Sequence, residues 1–172
     1  MVGCASGPAV TTSFNENSGQ STYQTRQYTV STLSGANIGS SKSISMQAIG
    51  QCQGRGCKPR RVQLVFSAGG NQQLQLSGLN GKLVADNTRI NWTTAEVSKN
   101  YGSGMDNTVL NVVGRFAAVN VSPNQLKQLA TASSVQGDIG GVSLRIGSGV
   151  QTGLQQLHQR VTGQSTSSES SE

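Results

Sequence analysis

Cys52 and Cys57 stand in GQCQGRGCKP with Gly54 and Gly56 between them. At this spacing two thiols can close a short disulfide loop or supply half of a metal site. A structural zinc takes a full set of ligands, and the other candidates are Cys4 and His158, so the disulfide is the expected chemistry. On the chain-entropy model such a link stabilises the fold by roughly 2 kcal/mol. An oxidised pair would put the chain in an oxidising compartment, a bacterial periplasm or an extracellular setting. The same stretch carries Arg55, Lys58, Arg60 and Arg61 within seven residues. If these side chains share a face they form a candidate site for an anionic partner; the alternative is a solvated loop of cations.

Catalysis would need a nucleophile beside a base, a pair of acids or a metal. His158 is the one histidine, at a polar position of the last expected helix, and Asp86, Glu96, Asp106 and Asp138 are scattered with no visible pairing. No catalytic residue, no metal and no cofactor are expected. The glycines between Gly137 and Gly149 lack a following Gly-Lys-Ser/Thr element and the spacing of a dinucleotide loop, and read as ordinary turns. Asn91, Trp92 and Thr93 form a glycosylation acceptor, relevant only in a eukaryotic secretory route.

Cys4 is left over. The opening MVGC resembles the end of a bacterial lipobox, with Gly3 and Cys4 matching, Val2 acceptable, and Met1 where leucine is usual. No basic n-region or apolar h-region precedes it, so the expectation is a truncated signal peptide or a misassigned start. The resemblance identifies a bacterial lipoprotein of uncharacterised type. It implies that Cys4 carries a diacylglyceryl group and a further acyl chain, enough for stable anchoring at about 0.8 kcal/mol per buried methylene. Ala5 stands where an aspartate would favour inner-membrane retention, so the resemblance implies an outer-membrane protein facing the periplasm. The following ASGPAVTTSFNENSGQST has no hydrophobic period and reads as a flexible tether. More loosely, SPNQLKQLATASSVQGDIGGVSLRI resembles the helix-then-strand endings of uncharacterised bacterial envelope proteins.

What must position these residues is a small β-rich domain. Of 172 residues, 34% are hydrophobic, 4% aromatic and 12% charged, with a formal charge of +6. The core must be mostly aliphatic, and the most apolar run, VLNVVGRFAAVNV, contains Arg115 and falls short of the roughly 20 residues of a membrane helix. Period-two alternation predicts strands in YQTRQYTVST, SISMQAIG, RVQLVFSA, QQLQLSGL, KLVA, TRINWT and TVLNVVGRFAAVNV. EVSKNYGSGMDN reads as an exposed loop. Ser122, Pro123 and Gln125 predict a capped helix with Leu126, Leu129 and Ala130 inward, followed by a strand VSLRI. Ser148 and Gln151 repeat the capping pattern before a helix buried through Val150, Leu154, Leu157 and Val161 and stopped by Gly163. The expected fold is mainly β (α+β), a twisted antiparallel sheet or open sandwich with two short C-terminal amphipathic helices. The expected boundaries are a lipobox remnant and flexible tether over 1–22, one domain over 23–163 and a disordered tail over 164–172.

Function follows from location more than from chemistry. The reading is a lipid-anchored envelope protein, a non-catalytic binding or structural module. Its partners are the membrane through Cys4 and other envelope proteins or anionic surface components. A cytosolic basic domain binding nucleic acid is the alternative; nucleic acid is not the expected partner, because no aromatics interleave with the basic residues for stacking. A small hydrolase has no positive support. Recognition is expected at the basic loop and at the EVSKNYGSGMDN loop.

Overall fold

The computed structural model describes residues 8–33, 42–69, 81–92, 96–102, 111–139 and 142–163. The fold is mainly β with two antiparallel sheets and two helices, as the sequence predicts. The strands are β1 Val10–Asn15, β2 Gln20–Thr25, β3 Tyr28–Leu33, β4 Lys42–Gln53, β5 Val62–Gly69, β6 Gly81–Ala85, β7 Thr88–Trp92, β8 Glu96–Gly102, β9 Asn111–Val121, β10 Val135–Ile139 and β11 Val142–Ile146; the helices are α1 Pro123–Thr131 and α2 Ser148–Thr162. One sheet runs β1-β2-β4-β5-β9-β8 with β3 also beside β4, and the other runs β11-β10-β6-β7.

The expected tether is corrected over residues 10–22, which form the β1 hairpin and the start of β2. Its period is carried by threonines and serines, with buried Val10 and partly covered Phe14 the apolar members of β1. The turn between the strands is an Asx turn: Asn15 Oδ1 accepts from the amides of Asn17 at 3.0 Å and Ser18 at 3.2 Å. Folded structure therefore begins about a dozen residues earlier than the sequence indicates.

YQTRQYTVST is corrected too, from one strand to parts of two. Long β4 pairs with β3 through Lys42–Met46 and with β2 through Ile49–Gln53, so one edge of it serves both. At the break, Thr25 is buried, its hydroxyl accepts from the Ala48 amide at 3.0 Å, and its carbonyl accepts from Gln47 Nε2 at 2.8 Å. Those bonds replace the ladder that the interruption removes.

Two further strands escape the sequence pattern. Glu96–Gly102, read as loop, pairs antiparallel with β9, and a register shift between Lys99 and Tyr101 breaks the period that would have revealed it. Gly137, one of the glycines expected in ordinary turns, lies instead inside β10, which pairs with β6 on one side and β11 on the other. The predicted strand over QQLQLSGL lies outside the described residues.

One core cluster joins both sheets and both helices. Val62, Leu64 and Phe66 of β5, Ile44 and Met46 of β4, Leu83 of β6 and Ile139 of β10 are all essentially inaccessible. Helix α1 starts on the predicted capping box, with the Gln125 amide donating to Ser122 Oγ and the Ser122 amide donating to Gln125 Oε1. Helix α2 does not repeat it: Gly147 is the N-cap and makes no side-chain cap. Gln151 instead donates to the carbonyls of Ala132 at 2.7 Å and Leu129 at 3.3 Å, satisfying the C-terminal end of α1. α2 thus ties itself to α1 while lying over β1, β2 and β4. Among the described residues, no helix is long and apolar enough to cross a membrane.

Candidate functional site

At the far end of the β1–β2 hairpin, β4 runs out into the loop carrying the basic residues. Cys52 and Cys57 form a disulfide, with Cα atoms 5.9 Å apart. The short loop it closes turns through Gly54 and Gly56, at φ 97 and 66, conformations that a side chain would oppose. Four further bonds lock it to the hairpin. Ser21 Oγ donates to the Gly54 carbonyl at 2.6 Å and Tyr23 Oη donates to the Cys57 carbonyl at 2.9 Å. The Gly54 amide donates to the Gly19 carbonyl at 2.8 Å, and Gln53 Nε2 to that of Ser18 at 3.1 Å. Pro59 is buried, and lies close to Gly50 of β4, whose α-carbon also faces Val161 of α2. A loop so tied has a fixed backbone, which removes the backbone share of the ordering cost of binding.

The four predicted cations part into two kinds. Arg55 pairs with Glu16 at 2.7 Å and lies over the Phe14 ring with its guanidinium carbon 4.2 Å from the centroid. Lys58 reaches the C-cap Gly163, where a cation complements the carbonyl end of α2. Arg60 and Arg61 are exposed, with no ion-pair partner among the described residues. Glu16 and Phe14 hold Arg55 although they lie in the stretch whose composition reads as tether. The signal is an aromatic just before the Asx turn and an acid within it.

Removing the link tests the rigidity of this end. The Cys52→Ala/Cys57→Ala variant should lose about 2 kcal/mol in urea unfolding relative to the parent. A loss below about 0.5 kcal/mol would mean that the hydrogen bonds hold the loop without it.

A concavity of about 420 Å³ lies on the outer face of the second sheet between Lys82, Val84, Asp86, Ser134, Gln136, Asp138 and Ser143. Its charges are internally satisfied. Lys82 and Asp138, directly opposite across β6 and β10, pair at 3.3 Å. Asp86 accepts from Ser133 Oγ at 2.6 Å and from the amides of Ser133 at 2.9 Å and Ser134 at 3.1 Å. The Ser133 hydroxyl first, then its amide and that of Ser134, hold the Asp86 carboxyl below the ordinary carboxylate range. A depressed folded value means stability present above the unfolded value and lost as pH falls through the folded one. Asp86→Asn should therefore flatten the acid side of the stability curve, read from urea midpoints between neutral and acid pH. An unchanged acid limb would deny Asp86 this role.

The remaining sequence candidates do not assemble into a centre. His158 is half-buried on α2, and burial, then the charge of Lys127, hold its imidazole below the ordinary range. The EVSKNYGSGMDN site is strand over Glu96–Gly102, and its remainder lies outside the described residues, as does Cys4. Among the described residues, no three of His, Cys, Asp and Glu gather to hold a metal ion. No protein-family model, no curated protein and no solved structure matches the chain.

Proposed function

We propose that the chain is a lipid-anchored protein of the bacterial envelope, held by Cys4 at the outer membrane and facing the periplasm, and that it works as a non-catalytic binding module. The observation that carries this reading is the Cys52–Cys57 disulfide, tied by hydrogen bonds to the hairpin that opens the fold. A structural disulfide belongs to an oxidising compartment. The lipobox-like Val2-Gly3-Cys4 ahead of the first strand supplies the means of attachment. The locked loop, with Arg60 and Arg61 unpaired among the described residues, supplies a recognition surface for an anionic partner.

Intact mass of the protein expressed from its native gene, upstream sequence included, tests the reading before and after reduction and alkylation. The expected result is a mature chain beginning at Cys4 with diacylglyceryl and acyl mass added, and two thiols that appear only on reduction. An unlipidated chain starting at Met1 with its three cysteines all reactive before reduction would overturn it and make nucleic acid the next partner to test.

A further inference from the structure

A strand at the edge of a sheet shows unpaired backbone donors and acceptors, and folded proteins guard such edges with charge, proline, short length or a bulge. Among the described residues, the edges β7 and β11 are short, five residues each, and carry Arg89 and Arg145. β8 carries Glu96, Lys99 and a register shift, and β3 carries a register shift between Thr29 and Ser31. β1 has none of these guards: its six residues, VTTSFN, hold no charge, proline or glycine and pair with β2 without a shift.

The β1–β2 ladder shows which groups lie on that open edge. The Arg26 amide donates to the Ala9 carbonyl at 3.1 Å, which makes these two a hydrogen-bonded pair one step before Val10 and Thr25. Hydrogen-bonded and non-hydrogen-bonded pairs alternate along an antiparallel ladder. Thr11 and Ser13 therefore exchange bonds with Gln24 and Thr22, whereas the amides and carbonyls of Val10, Thr12 and Phe14 point away from β2. Among the described residues no backbone group receives them. Thr11, Thr12 and Ser13 are exposed, so α2 leaves the middle of this edge uncovered.

We infer that β1 is a dimerisation strand: two copies join their β1 edges antiparallel about a two-fold axis at Thr12, continuing one sheet into the other. In that register Thr12 faces Thr12 of the other copy and Val10 faces its Phe14, so every open amide and carbonyl of these three residues finds a partner. Val10 and Phe14 meet as an apolar pair on the inner face, and Thr11 meets Ser13 as a hydroxyl pair on the outer face. The occupant is a second copy because each chain carries a formal charge of +6, and two such cations meet at least cost along a strand that has no charge and pairs with itself. The guarded edges elsewhere stop the assembly at two.

Sedimentation velocity over a concentration series tests this on the full 172-residue chain, with Cys4 alkylated under non-reducing conditions so that no intermolecular disulfide forms. The expected result is a reversible dimer that tightens with added salt, because salt screens the repulsion between the two cations. Amide exchange followed by NMR should show Val10, Thr12 and Phe14 gaining protection as concentration rises. Thr12→Lys should weaken the dimer at least roughly tenfold by setting like charges against each other at the axis. Thr12→Pro should do the same by removing an amide that the β1–β2 ladder does not use, with the urea midpoint of the monomer close to that of the parent. Asn120→Lys adds the same charge at an exposed site of β9, four strands from β1 and roughly 19 Å away at about 4.8 Å per strand; it should change the dimer by less than about twofold. A chain that stays monomeric at every concentration would overturn the inference, as would a dimer indifferent to both Thr12 variants, one weakened equally by Asn120→Lys, or one that salt loosens. Edge amides protected at every concentration would overturn it too, since the chain would then be covering its own edge.

Discussion

Gly137→Ala is expected to destabilise the protein by about 3 kcal/mol, the upper end of ordinary overpacking. In a generic strand the same change would stabilise, since alanine is about 0.5–1 kcal/mol better than glycine there, so the sign alone separates the two accounts. Gly137 sits at the centre of β10, directly across from Leu83 of β6. A methyl group on it would overlap the Lys82 carbonyl and press on a Leu83 methyl 2.9 Å away. The carbonyl is backbone of the paired strand, so relief requires shifting β6 against β10. Among the described residues, β10 is also what joins β11 to the rest of its sheet. Moving it unseats Val135, Ile139, Leu144 and Ile146, all buried in the common core. Urea unfolding measures the loss as a lower midpoint at constant slope. A variant within about 1 kcal/mol of the parent would show that the two strands are further apart than described.

That glycine also explains why part of the fold was hidden in the sequence. Period two reads side chains, and β10 spends its central inward position on a residue with none, so VQGDI resembles a turn. In β8 the obstacle is a register shift between Lys99 and Tyr101, which interrupts the period of two. In β1 it is polarity: Thr11, Thr12 and Ser13 are exposed strand residues on a sheet edge, and their composition is that of a linker. Where buried aliphatics alternate with polar residues, as at Val62, Leu64 and Phe66, or recur at helical spacing, as at Val150, Leu154, Leu157 and Val161, the pattern was fully legible.

The candidate site divides along the same physical line. Local chemistry was readable: two cysteines around two glycines announce a closed loop, and four cations beside them announce positive charge. How that charge is apportioned was not readable. It depends on contacts across 39 residues, between Arg55 and Glu16, and between the loop and the end of a helix a hundred residues on. Exposed, the Arg55–Glu16 pair contributes little to stability. Its effect is to engage one arginine and leave Arg60 and Arg61 as the arginines of this loop without an ion-pair partner among the described residues.

Gly153→Ala should likewise invert its usual sign, and Tyr28→Phe should partly restore what it removes. On a helix, alanine normally exceeds glycine by about 1 kcal/mol; here the expected result is a loss of about 2 kcal/mol. Gly153 is buried on the sheet-facing side of α2, and a methyl group there would overlap the Tyr28 hydroxyl and crowd the ring at 2.9 and 3.1 Å. The hydroxyl is itself buried, with no hydrogen-bond partner among the described residues. Tyr28→Phe alone should therefore stabilise by about 1 kcal/mol, by deleting an unsatisfied buried group. It keeps the ring that Arg26 covers, with the guanidinium carbon 4.9 Å from the centroid. In the double variant the lost oxygen makes room for the new methyl group, so the two changes should couple favourably by about 1 kcal/mol in a double-mutant cycle. Simple additivity, or a Tyr28→Phe that destabilises, would mean that the hydroxyl has a use the fold does not reveal.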